Sequence, residues 1–175
     1  MKLTLKIIAA CLCAVILAAC GAAANPNPIP PVVIDPTTQP PGFSINDTVA
    51  GTGAVAANGD IVSVTYTGWV YSTTAANSEG ALFVSNVSTQ PLSFVLGTGQ
   101  AILVGTPSVS SGQSIPGFEQ GVVGMAAGGT RTIVVPSSLG YGPVAQTDSV
   151  TKLVTVPANS GLIFNVQLLS VTKAQ

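Results

Sequence analysis

The chain has 175 residues, of which only 6% are charged, whereas roughly 25% is usual in a soluble domain. It has no histidine and only three cysteines, all near the N-terminus, so it cannot build a Ser-His-Asp or Cys-His relay, and we expect no metal centre or other cofactor. The net charge of -1 gives no basic surface for nucleic acid.

The N-terminus has the pattern of a secretory signal. Lys2 and Lys6 flank the start of an apolar run that continues to Leu17 and ends in small residues. At about 13 apolar residues it is shorter than the roughly 20 that a spanning helix needs. Leu17-Ala18-Ala19-Cys20 resembles a bacterial lipoprotein signal, which is cut before the cysteine. We predict a signal peptide over residues 1–19 and a lipidated Cys20; an uncleaved anchor or a buried helix is the alternative.

A proline-rich segment follows the predicted cleavage site. Residues 24–41 hold seven of the thirteen prolines, which predicts an extended, semi-rigid spacer in preference to an SH3-type ligand. We assign residues 20–42 to this lipidated linker and residues 43–173 to one folded domain. Gly21 follows the cysteine, as in enterobacterial lipoproteins of the outer membrane. We therefore predict that the chain is anchored in the bacterial envelope, on the periplasmic side of the outer membrane.

The folded part is predicted to be α+β. Alternating or β-branched patterns indicate strands over residues 61–68, 91–97, 130–135 and 162–168. One short helix is indicated where Phe118, Val122 and Met125 recur at helical spacing between glycine-containing turns. The sum is an antiparallel sheet crossed by a short helix.

The inventory of reactive side chains in this domain is small. No Gly-Lys-Ser/Thr loop occurs, and Gly51-Thr52-Gly53 does not open a predicted helix, so no nucleotide-binding motif is present. We interpret Asp60, Glu119 and Arg131 as surface or turn partners and give them no catalytic role. Asn86-Val87-Ser88 matches a glycosylation pattern, which we attribute to chance. The chain therefore needs a chemistry without an acid, a base or a nucleophile.

Several segments, in collinear order over the folded part, together resemble the FKBP-type peptidyl-prolyl cis-trans isomerases. They are residues 59–69, 91–97, 115–125, 131–136, 139–142 and 156–164. The resemblance implies a strongly bent antiparallel β-sheet wrapped around one short α-helix, with an apolar pocket between them. It also implies rotation of Xaa-Pro bonds in proline-containing polypeptides, without a cofactor.

The resemblance assigns the pocket residues one by one. Five aromatic residues fall on catalytic positions: Tyr66, Phe83, Phe118, Tyr141 and Phe164. Tyr141 is the loop tyrosine that hydrogen-bonds ligands, and Phe118 stands where tryptophan is usual. Four further residues fall on substrate-binding positions: Leu92, Ile115, Val156 and Val84. Val84 replaces the aspartate of the family.

Two functional hypotheses follow from this resemblance. The first is a lipid-anchored prolyl isomerase that assists the folding of exported proteins, with turnover lowered by Val84. The alternative is a module of the same fold that binds proline-containing segments as a chaperone or assembly factor, with little or no turnover.

Three segments are longer than in a minimal family member. They cover roughly residues 72–80, 99–114 and 143–155. Within the third, residues 150–154 are rich in β-branched side chains, which predicts an extra strand pair at the pocket rim. The second leaves two alignments for the segment before the helix, and we choose the one that ends at Ile115, because Pro116-Gly117-Phe118 follows directly.

Overall fold

The computed structural model describes residues 38–99, 101, 115–148 and 150–175. The predicted signal peptide over residues 1–19 and the predicted lipidation site Cys20 lie outside these ranges. Of the predicted linker, only residues 38–42 are described, and most of the second long segment lies outside as well.

The described residues form eight β-strands and one α-helix. The strands are β1 Ser44–Val49, β2 Ile61–Tyr71, β3 Glu79–Ser85, β4 Leu92–Val95, β5 Thr130–Val135, β6 Gln146–Thr147, β7 Val154–Val156 and β8 Leu162–Thr172, and the helix is α1, Pro116–Val122. Six strands make an open antiparallel sheet in the order β1-β5-β8-β2-β3, with β4 also paired to β2. This is the predicted α+β architecture.

The strand β2 organises the sheet. It pairs with β8 along residues 61–70, while its opposite edge is shared by β4 at residues 61–64 and β3 at residues 67–71. Alternate β2 residues are buried, as the period of two predicts for a strand with one face on the core. The predicted strands at 61–68, 91–97, 130–135 and 162–168 are confirmed, with small differences at their ends.

Helix α1 is shorter than the hydrophobic spacing indicates. It ends at Val122, because Val123 has an extended ψ of 134° and Gly124 a φ of 79°, a conformation that favours glycine. Met125 therefore lies beyond the helix, although it stays buried in the core. The helix packs on β5 and β8 through its buried face.

The predicted strand pair in the third long segment exists, but of residues 150–154, which suggested it, only Val154 lies in a strand. Gln146 pairs with Val156 and Thr147 with Val154, so Asp148 and residues 150–153 belong to the connection. Asp148 closes this connection, since its carboxylate accepts the N–H groups of Val150 at 2.9 Å and Thr151 at 2.6 Å. These bonds hold the pKa of Asp148 below its usual value.

Two of the side chains interpreted as surface or turn partners are buried and fasten β1 and the C-terminus. Arg131 donates to both carboxylate oxygens of Asp47, at 2.6 and 3.1 Å, and also to the carbonyls of Gly121 and Val123 at the end of α1. Asp60 accepts a bond of 2.9 Å from Lys173 Nζ. The pKa of Asp47 is lowered chiefly by its bond from Arg131, and that of Asp60 chiefly by its bond from Lys173.

No helix among the described residues is long and apolar enough to cross a membrane.

Candidate active site

Five aromatic side chains from different parts of the chain form one continuous cluster, which we call the ring cluster. The ring centroid of Phe118 lies 5.3 Å from that of Tyr66 and 5.2 Å from that of Phe164. The ring of Phe83 lies 5.8 Å from Phe164 and 6.2 Å from Tyr141. All four pairs meet edge to face, the arrangement that aromatic quadrupoles favour. The structure therefore brings together all five residues that the resemblance assigns to catalytic positions.

The sheet and the helix hold these rings together. Tyr66 on β2 and Phe164 on β8 face the core, because alternate residues of a strand share one face. Phe118 approaches them from α1. Gly68, which pairs with Phe164, supplies the space: a Cβ there would lie 2.6 Å from the ring of Phe164 and 3.1 Å from that of Phe83. A side chain at position 68 would therefore displace two of the rings.

The four predicted substrate-binding residues belong to the same core. Ile115, Val84 and Val156 are at most 1% exposed, and half-buried Leu92 packs against the same group of side chains. The carbonyl of Ile115 accepts the N–H of Phe118 at 3.0 Å, which fixes Phe118 at the start of α1. The assignment of these residues and of the five rings to catalysis or substrate binding stays a prediction.

Val84 makes the core apolar at the position to which the resemblance assigns an acid of the family. It is fully buried on β3 and pairs with Gly68 of β2. Position 84 therefore has no carboxylate, although it lies beside Gly68, against which the rings of Phe164 and Phe83 pack. Among the described residues, no group of three or more His, Cys, Asp or Glu side chains converges to hold a metal ion.

Phe94 was not predicted as a site residue, yet its ring centroid lies 6.3 Å from that of Phe118. It is buried on β4, two residues after Leu92 and on the same face. The alternation of β4 carried the signal that could have identified it, since Leu92 had already been assigned to the pocket.

Asn86 is a second residue that sequence reasoning missed. Its fully buried side chain accepts the N–H of Tyr66 at 2.7 Å and donates to the carbonyls of Val64 and Gln90 at 3.3 Å. These bonds complete the edge of β2 between the end of β3 and the start of β4. The amide thus fixes the backbone of Tyr66, and its burial is incompatible with glycosylation of the folded domain.

Glu119, next to Phe118, is buried and is not a surface residue. Its carboxylate accepts the N–H groups of Gly97 at 2.9 Å, Gly99 at 3.2 Å and Ala101 at 2.9 Å. Three backbone donors replace the water that the carboxylate loses on burial. The residue therefore joins the loop after β4 to α1 directly beside the ring of Phe118.

The ring cluster is closely packed. Its five members are at most 3% exposed, and the described residues that border four of the surface grooves include none of them. The groove nearest in sequence to Phe118 has a volume of about 460 Å³ and is bordered by Pro116, Glu119 and Gln120. The rings therefore have little exposed surface in this structure.

What this arrangement can do chemically is limited to apolar binding and hydrogen bonding. The cluster offers ring faces and edges and two phenol groups, those of Tyr66 and Tyr141. It holds no carboxylate, thiol or amine. Such a site can favour one conformation of a bound polypeptide over another, but it cannot transfer a proton or form a covalent intermediate in the usual pH range.

Comparison with protein families gives a match over residues 53–169 to the family described as FKBP-type peptidyl-prolyl cis-trans isomerase. Among curated proteins, FK506-binding protein 4 of Neurospora crassa is 37% identical over 130 residues, which cover 74% of this chain and 22% of that protein. FK506-binding protein 3 of Candida albicans is 35% identical, covering 74% of this chain and 24% of that protein. The chain thus spans about a quarter, or less, of these relatives.

Two solved structures are similar. FkpA from Escherichia coli is 27% identical, with a TM-score of 0.52 over 77% of this chain and 50% of that one. AtFKBP13 is 25% identical, with a TM-score of 0.54 over 77% of this chain and 96% of that one. The second match shows that the folded part corresponds to almost an entire domain of this kind.

Proposed function

The chain belongs to the FKBP-type peptidyl-prolyl cis-trans isomerase family, and on that premise we propose that it accelerates the rotation of Xaa-Pro bonds in exported polypeptides from a lipid-anchored position. The convergence of the five rings carries this proposal. They lie up to 98 residues apart in sequence, from Tyr66 to Phe164, yet neighbouring centroids are only 5.2 to 6.2 Å apart.

The barrier to this rotation is electronic. Resonance gives the amide C–N bond partial double-bond character, so rotation costs about 18–20 kcal/mol. At the twisted midpoint this resonance and part of the carbonyl polarity are lost. A dry apolar site disfavours the polar planar amide more than the twisted one, and this difference in binding lowers the barrier without proton transfer.

The residues divide this work between packing and orientation. The rings of Phe118, Phe83 and Phe164 offer apolar surface to the prolyl ring. The hydroxyl of Tyr141 holds a peptide carbonyl, so that the chain on one side of the bond is fixed while the other side turns. Uncatalysed isomerisation takes tens of seconds or more, which is slow enough to limit the folding of exported proteins.

A direct measurement of exchange tests the isomerase proposal. The cis-to-trans rate of an Xaa-Pro peptide is followed by NMR exchange spectroscopy with and without the full chain. We expect acceleration that disappears when a proline mimic is added in excess. A rate equal to the spontaneous one at micromolar protein contradicts the proposal.

Binding without turnover is the second candidate, and the buried Val84 favours it. In the family an aspartate at this position helps to orient the pocket tyrosines, and the valine here cannot do so. The same NMR experiment separates the two candidates. Broadened peptide resonances with an unchanged exchange rate support a binding module of chaperone type, whereas an increased rate supports the enzyme.

We also propose that the chain is a bacterial lipoprotein of the envelope, on the periplasmic side of the outer membrane. The support is the pattern of Lys2, Lys6, the apolar run and Leu17-Ala18-Ala19-Cys20. Several acyl chains on Cys20 would give stable anchoring, whereas one chain gives only marginal binding. Incorporation of labelled palmitate tests this: we expect label in the parent chain and none in Cys20→Ser, and equal label in both contradicts it.

A further inference from the structure

The end of the proline-rich linker is fastened to the folded domain. The carbonyl of Thr38 accepts the N–H of Gly161 at 2.8 Å. The side-chain amide of Gln39 donates to the carbonyl of Asn159, and Pro40 is buried. We call Thr38–Pro40 the strap, and Asn159–Gly161, which precedes β8, the strap-binding loop.

Gly161 is shaped to receive the strap. A Cβ at this position would clash with the ring of Pro40 and lie 2.9 Å from the carbonyl of Thr38. Its φ lies outside the region that favours glycine, so the close approach of the strap, and not the backbone conformation, is what requires glycine here.

The same loop touches the candidate active site. The N–H of Asn159 donates to the carbonyl of Gly142 at 2.6 Å, and Gly142 directly follows Tyr141. The strap-binding loop lies between Val156 and Phe164 in sequence, both of which are buried in the same core as the ring cluster. Asn159 thus accepts the strap through its carbonyl and holds the tyrosine loop through its N–H.

We propose that the strap is a positioning element for Tyr141, which sets how well the tyrosine loop is ordered for an incoming polypeptide. The proposal rests on the proposed function. It identifies Gln39 as a positioning residue that acts through Asn159 and Gly142, because the donated bond restrains the Asn159 peptide group. The linker and the tyrosine loop are then both held by the same residue, Asn159.

Replacement of Gln39 by methionine tests this link in the full chain. Methionine has a similar length but cannot donate a hydrogen bond. We expect the KM for an Xaa-Pro peptide to rise about two- to tenfold, the range for one lost hydrogen bond, with kcat within about twofold. We also expect the backbone amide resonances of Tyr141 and Gly142 to shift. The matched control is Gln167→Met on the exposed face of β8, for which both readouts should equal those of the parent.

A second pair of variants covers the packing. Gly161→Ala should displace Pro40 and give the same resonance shifts, whereas Gly42→Ala, whose Cβ would meet nothing within 4 Å, should not. Unshifted Tyr141 and Gly142 resonances in Gln39→Met overturn the proposal. The proposal is also overturned if kcat and kcat/KM fall by the same factor and the melting temperature falls with them, because this result indicates a structural role only. Because the resonances need no turnover, a parent without isomerase activity refutes the proposed function while the strap is still tested.

Discussion

The ring cluster and the connection of the β6–β7 hairpin both carry apolar side chains, but those of the cluster are buried and those of the connection are exposed. The rings are at most 3% exposed, whereas Val150 and Leu153 of the hairpin are 82% and 69% exposed. The rings sit on β2, β3, β8, α1 and one loop, and the hairpin is held by two short strands and the turn at Asp148. The rings assigned to the candidate site are thus fixed in the core, and the exposed residues of the hairpin are free to change without loss of the fold.

The largest expected effect comes from removing a ring. Phe118→Ala should destabilise the domain by about 3–5 kcal/mol, the usual cost of truncating a buried aromatic, and should weaken binding of proline mimics. Leu153→Ala in the hairpin is the control and should change the free energy of unfolding by less than about 0.5 kcal/mol. Urea unfolding of both variants checks this, and equal midpoints contradict the contrast between the two regions.

A carboxylate placed in the core should lower stability and raise activity together. Val84→Asp buries an acid beside Gly68, so we expect a loss of more than about 1–3 kcal/mol, which is the cost of burying a neutral polar group without a hydrogen bond. We also expect a higher kcat among folded molecules, because the acid can orient the pocket tyrosines as in the family. Val84→Asn has the same shape without the charge. If the aspartate and asparagine variants have the same kcat, the charge at position 84 has no part in catalysis.

A smaller effect is expected from one hydroxyl. Tyr141→Phe keeps the ring of the cluster but removes the hydroxyl that we propose to hold a peptide carbonyl, so the Kd for a proline mimic should rise about two- to tenfold. The matched control is Tyr71→Phe, at the end of β2. Isothermal calorimetry measures both variants. A Kd equal to that of the parent in Tyr141→Phe removes the orienting role from the tyrosine.

The smallest effect is expected from pH. Asp47, Asp60 and Asp148 have pKa values below the usual 3.8 in the folded state, so their stabilising contribution is complete above about pH 4 and is lost as the pH falls through the folded pKa values. The ring cluster has no carboxylate, thiol or amine. We expect kcat/KM to be flat from about pH 5 to 9, and a sigmoidal change within that range contradicts the assignment of a site without acid or base.

The parts of the fold that could be predicted are those whose sequence reports burial. Val62, Val64 and Tyr66 alternate with polar residues because one face of β2 packs on the core. Strand β1 could not be found in this way: all six of its residues are exposed, so its hydrogen bonds to β5 hold it and its sequence carries no period. Helix α1 was predicted too long because the backbone of Gly124, not hydrophobic spacing, determines its end.

The candidate site could be predicted only through the resemblance, since nothing in the spacing of Tyr66, Phe83 and Phe164 shows that their rings meet. The polar residues that hold the site, Asn86 and Glu119, could not be predicted for a different reason. Asn86 and Glu119 bond to backbone groups, which every residue carries, so the sequence of the partner gives no signal. The strap was missed in the same way, because glycine at position 161 is also explained by an ordinary turn.

Glu119 has a consequence for the evolution and engineering of this domain. Its carboxylate accepts hydrogen bonds from the main-chain N–H groups at positions 97, 99 and 101. Two of these positions are glycines with positive φ, 82° at Gly97 and 71° at Gly99, and a Cβ at Gly97 would lie 2.6 Å from Oδ1 of Asn58. The junction therefore depends on a backbone path that glycine follows without strain, so a redesign of this turn, next to the helix that carries Phe118, has to keep both glycines.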